Sequence, residues 1–126
     1  MLKEIRADLV EFLGNIPGIR KSDIYKGEFE EDGEWTPVIP CALTNFTVLK
    51  PSVVNSDITI ARNRYGADIY IADKFDAAEI TEDAADELNS ADLSISDNIF
   101  RIKIIEISLL GYIKSIEVWK IKIEII

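Results

Sequence analysis

Residues 100–126 read FRIKIIEISLLGYIKSIEVWKIKIEII, and the reading of this stretch decides the fold. Isoleucine dominates it, lysine and glutamate alternate with the isoleucines, and Gly111 is the only punctuation. β-Branched residues at period two mark a strand with one buried face. In the second arm Trp119, Ile121, Ile123 and Ile125 fall on one side, and Lys120, Lys122 and Glu124 on the other. A slip of one residue would drive those charges into the core, so the register is strongly specified. In the first arm Phe100, Ile102 and Ile104 share a phase that then passes to Ile105, Ile107 and Leu109. That switch predicts a bulge or sharp bend at Ile104–Ile105. The whole reads as one long antiparallel hairpin, the spine of a sheet.

Upstream, Leu2 to Leu13 predicts an amphipathic helix with Leu2, Ile5, Leu9, Phe12 and Leu13 on one stripe. Gly14 is expected to end it in the left-handed conformation, and Pro17–Gly18 to prevent its resuming. A short strand is expected over Asp23–Phe29, then an acidic loop, Glu30–Pro37. A second strand runs from Val38 to Leu49, with Ala42, Thr44, Phe46 and Val48 facing one way and Leu43, Asn45, Thr47 and Leu49 the other. A third is expected over Ile58–Ala72, interrupted by a turn or bulge at Asn63–Gly66. Phe75 to Leu88 predicts a second helix, capped by Asp76 or Thr81, with a thin stripe of Phe75, Ala78, Ala85 and Leu88. Ser90 to Asp97 reads as a linker. The order predicts a single α+β domain over 1–126, with two helices packed on one face of a mixed, mainly antiparallel sheet.

A chain of 126 residues can bury roughly two-thirds of its unfolded surface, so it needs neither disulfide nor metal to fold. Its single cysteine, Cys41, sits in the apolar run VIPCAL and reads as a buried free thiol. No apolar run approaches a membrane span, and a cytoplasmic protein is the expectation. The net charge of −9 is unevenly spread. Between Asp73 and Asp97 nine acids face Lys74 alone, and Glu28–Glu34 holds five acids without a base, whereas the hairpin is net basic. Such acidity opposes ordinary nucleic-acid binding, which needs a basic face.

No histidine is present, which removes Ser–His–Asp and Cys–His catalysis and histidine metal sites. No glycine-rich phosphate cradle occurs either. Carboxylates remain: Glu30, Glu31, Asp32 and Glu34 lack the alternation of a calcium loop, while Glu82, Asp83, Asp86 and Glu87 hold the i, i+4 spacing of a hard-cation site. Both groups read more simply as solvated surface. Trp35 is either an interface anchor or a lid folded on the core. Trp119 reads as core by its phase. Arg62 and Arg64 beside Tyr65 either face an acidic neighbouring copy or end a strand in solvent. With the charged row Lys120, Lys122 and Glu124, these make the candidate interface.

Four segments together resemble a known family. They are the opening helix, PCALTNFTVLKPS (40–52) after an acidic loop, NRYGADIYIADKF (63–75) running into a helix, and ISLLGYIKSIEVWKIKIEI (107–125). In that order they are similar to the small tail terminator or tail completion proteins of Mu-like bacteriophages and related prophages. The resemblance implies a structural protein without catalysis or cofactor that caps the tail tube, usually as a ring of six copies. Its implied partners are further copies of itself, the tail tube protein and the neck or head-completion protein. DNA would pass through without specific binding, and no membrane is involved. Assembly would take place in the host cytoplasm, leaving the protein in the tail of a virion or tail-like particle. Alternatives are a head–tail connector or neck subunit, a carboxylate-dependent metal enzyme built on the acidic helix, and a monomeric or dimeric adaptor.

Overall fold

The C-terminal hairpin lies within a six-stranded sheet in the computed structural model, which describes residues 2–27, 36–49, 64–89, 91–95 and 98–126. The elements are α1 (Leu2–Leu13), β1 (Ile24–Lys26), β2 (Cys41–Leu49), β3 (Arg64–Asp73), α2 (Ala77–Leu88), β4 (Asp92–Ile95), β5 (Asn98–Ile113) and β6 (Ile116–Ile125). Sheet order is β1-β2-β3-β6-β5-β4. Only β1 and β2 run parallel; every other neighbour is antiparallel. The expected α+β architecture holds, with both helices contributing to one core on one face of the sheet.

The alternation read in the second arm is the observed one. Ile121, Ile123 and Ile125 are buried against the helices, with Ile121 at 0% exposure. Ile121 stands between Ile69 of β3 and Ile107 of β5. The predicted bulge is also present: pairing with β6 skips Ile105 and then skips Leu110. The turn, however, is not at Gly111. It lies at Lys114–Ser115, both in the left-handed region at φ 52° and 66°, as a two-residue hairpin of this hand requires. Gly111, at φ 111°, follows the second bulge, where a side chain would be strained.

Other expectations are corrected by packing. β4 occupies part of the predicted linker: Leu93 and Ile95 are buried while Asp92 and Ser94 are exposed, a period-two pattern too short to stand out. Helix α2 starts at Ala77, and its buried face is Ala77, Ile80, Thr81, Ala84 and Leu88. Of the predicted stripe Leu88 is buried and Ala85 half-buried, whereas Ala78 is exposed and Phe75 is 87% exposed. Asp76 stands at the N-cap position of α2, as one of the two expected caps, but its side chain makes no capping bond, and Thr81 lies inside the helix. The Asp73 carboxylate instead accepts the backbone N–H groups of Phe75 and Asp76 at 3.0 and 2.8 Å, and the Thr81 hydroxyl donates to the Ala77 carbonyl. In β2 the register shifts between Thr44 and Thr47, with Asn45 at φ 56°. The bulge turns Phe46 onto the helix-side core, so the even-numbered face read from sequence breaks there. Arg64–Gly66 belong to β3 without interruption, while the expected strand residues 58–63 lie outside the described residues. Gly14 is not left-handed; a Cβ there would meet Lys21 Cβ at 2.8 Å, so it serves close approach. The left-handed residue is Gly18, at φ 90°, which packs against Ile80 of α2.

A second apolar cluster sits on the opposite face at the hairpin tip, where Ala42, Tyr70, Ala72 and Val118 are covered by Val38, Leu110, Ile113 and Ile116. Cys41 is buried between Ile24 and Ile71, and desolvation pushes its thiol up to about 12.

Two stability outcomes follow. Ile121→Lys buries a charge at the centre of the sheet and should cost on the order of 4 kcal/mol; urea denaturation of the variant reads this directly, and a parent-like midpoint would refute the strand phase. Ser115→Gly relieves a left-handed side chain and should raise stability by about 1 kcal/mol in the same assay.

Candidate assembly interface

The outer face of the sheet, opposite the helices, carries charge in matched columns. On β6 it presents Lys120, Lys122 and Glu124. Lys103 and Glu106 of β5 stand across from Glu124 and Lys122, so each cross-strand pair joins opposite signs. From β3, Asp68 lies 3.8 Å from Lys120, and Arg64 lies 3.9 Å from Glu124. The Lys120 ammonium also sits over the Tyr70 ring, 5.5 Å from its centre. Asn45, set by the β2 bulge, donates to Asp68 at 2.9 Å.

The structure thus brings four of the predicted interface residues, Arg64, Lys120, Lys122 and Glu124, onto one surface. It removes Tyr65 from it. Tyr65 is 5% exposed and stacks edge-on against Phe100 with ring centres 6.2 Å apart, because its odd position in β3 points to the helix side. Trp35 and Arg62 lie outside the described residues, as do the acids of the 30–34 loop. Trp119 is half-buried, and its indole N–H donates to Glu117 at 2.7 Å. Glu117 also accepts from the Tyr112 hydroxyl, and that bond raises the Tyr112 pKa.

A second surface runs along the outer edge of the hairpin, on β5. β4 pairs with β5 only over Asn98–Arg101, and Ile102 N–H reaches the Ala91 carbonyl. Beyond that point, among the described residues, the outer edge of β5 has no neighbour. Along it Ile105, Ile107, Leu109 and Tyr112 are exposed, with Ile107 at 42% and Leu109 at 50%. Sequence assigned Ile107 and Leu109 to a buried face. Arithmetic of length explains the difference: a strand of 16 residues spans roughly 53 Å, whereas a helix of 12 residues covers roughly 18 Å. Two such helices leave the far half of the hairpin uncovered.

A third surface is the solvent side of α2. Glu79, Glu82, Asp83, Asp86 and Glu87 are all exposed there, and the helix contains no base. Among the described residues no three acids converge as they would around a metal ion. No helix among them is long and apolar enough to cross a membrane.

Asp73 fixes the entry to this helix, and the amides of Asp76 first and Phe75 second hold its carboxyl below the ordinary range. A depressed carboxylate stabilises the fold above its unfolded value and loses that contribution as pH falls through the folded one. Asp73→Ala should therefore cost about 1 kcal/mol at pH 7, with the gap to the parent closing below about pH 4; thermal melts at both pH values measure it. No family model matches the chain, and no curated protein matches it either.

Proposed function

We propose that this protein is a structural subunit of a phage tail or a phage-derived tail-like particle, assembling as a ring that caps the tail tube and stops its growth. The observation that carries this reading is the open outer edge of β5. Beyond Ile102 it has no strand neighbour among the described residues, so its backbone groups can accept a strand from another polypeptide, and the isoleucines beside it offer apolar contact. Two bulges limit what such pairing can become. Ile105 and Leu110 break the edge so that only Glu106–Leu109 forms a regular run between them. A bulged edge twists away from its continuation, so an added strand is accommodated locally and the sheet is not extended without limit. An edge that accepts one partner and propagates no further suits a subunit that ends a polymer. The resemblance of the sequence to tail terminators supports the same reading, in which the ring joins the tube to the neck or head-completion protein.

The test uses tube subunits of the same particle. Adding this protein during their polymerisation should shorten the tubes in proportion to dose, measured by electron microscopy. The variant Ile107→Lys/Leu109→Lys, altered at exposed positions, should melt like the parent and lose at least most of the shortening. Tubes of unchanged length with the parent protein would refute the proposal.

A further inference from the structure

The chain has an excess of acid, yet one of its grooves is basic. It lies between α1, the turn at Lys21–Asp23 and β1, with a volume of about 620 Å³. Lys3, Arg6, Lys21 and Lys26 surround it, with Val10 among its apolar lining. Lys3 and Arg6 stand one turn apart on the exposed side of α1, and Lys26 comes from the edge strand β1. Lys21 is paired with Glu11. Lys3, Arg6 and Lys26 have no ion-pair partner among the described residues, although Asp8 also lines the groove. Several bases elsewhere are engaged: Lys120 with Asp68, Arg64 with Glu124, and Arg101 with Asp92. What sets the groove apart is that Lys3, Arg6 and Lys26, all exposed, converge on one concave surface.

The complementary surface is on the same subunit. The exposed acids of α2 have no basic partner among the described residues, and Glu79–Asp83, Glu82–Asp86 and Asp83–Glu87 are like-charged pairs at i, i+4. Such pairs repel within an isolated helix, and a cationic surface laid across them relieves the repulsion. Groove and helix belong to different elements, so a head-to-tail arrangement lets each subunit engage two neighbours. This is the heterologous geometry that closes into a ring.

We infer that the acidic face of α2 in one copy seats in the Lys3–Arg6–Lys26 groove of the next, and that this is the lateral contact of the ring. The inference rests on the ring-forming role proposed above and names the surfaces that join its copies. Exposed charges contribute little singly, so the contact depends on several acting together and weakens with salt. The same opposition of charge speeds encounter and disfavours groove-to-groove pairing.

Two variants test it: the groove reversal Lys3→Glu/Arg6→Glu/Lys26→Glu, and the helix reversal Glu82→Lys/Asp83→Lys/Asp86→Lys. All six positions are exposed, and circular dichroism melts check that both variants fold. Sedimentation velocity at low salt should show the parent assembling, and each reversal alone weakened by about tenfold or more. An equimolar mixture of the two should assemble again, because each reversed surface then meets its opposite on the other variant. Assembly of either reversal alone at parental strength, or a mixture that stays dissociated, overturns the inference while leaving the ring reading standing. A species that stops at two copies overturns the head-to-tail geometry. A parent chain that remains a monomer even with tube subunits present overturns the ring reading itself.

Discussion

β6 is held on both sides along its length, by β3 in one register and by β5 in another, and the remaining structure depends on that double pairing. Its side chains belong alternately to two environments. Ile121, Ile123 and Ile125 enter the core beneath the helices, while Val118 joins the small cluster on the opposite face. Lys120, Lys122 and Glu124 follow Val118 on that face and meet charges of opposite sign. A slip by one residue would exchange these sets and bury three charges where three isoleucines now sit, at a free-energy cost far above that of any single surface contact. The register is therefore fixed from within the sheet. The turn can then carry Lys114 and Ser115 in a conformation that glycine or asparagine would adopt more readily.

Much of this was legible because period-two alternation over many residues leaves few alternatives. The bulge at Ile105 was visible as a change of phase in the isoleucines, and α1 was visible from its stripe. What failed were features that arise from tertiary contact. Four residues of β4 alternate too briefly to be distinguished from a linker until β5 lies beside them. The Gly111 bulge mimics a turn in sequence because both conditions favour the same residue. In α2 the small residues permit more than one stripe, and Ile80 packing against Gly18 selects the observed one. The candidate interface was legible only in part. Alternation placed Lys120, Lys122 and Glu124 on the outer face, but Tyr65 followed the strand's own phase inward.

The surfaces divide by chemistry. The hairpin edge is apolar and offers backbone groups, α2 is acidic, and the α1–β1 groove is basic. Apolar backbone addition favours a contact that stays once made, whereas opposed exposed charges give one whose strength varies with ionic conditions. The ring role proposed above has use for both, on separate parts of the surface.

Cys41 adds a constraint of a different kind. Walled in between Ile24 and Ile71, with its proton firmly held, the only sulfhydryl of the chain cannot reach outward to bridge to another molecule while the sheet is intact. No disulfide through Cys41 can therefore join copies of the folded chain.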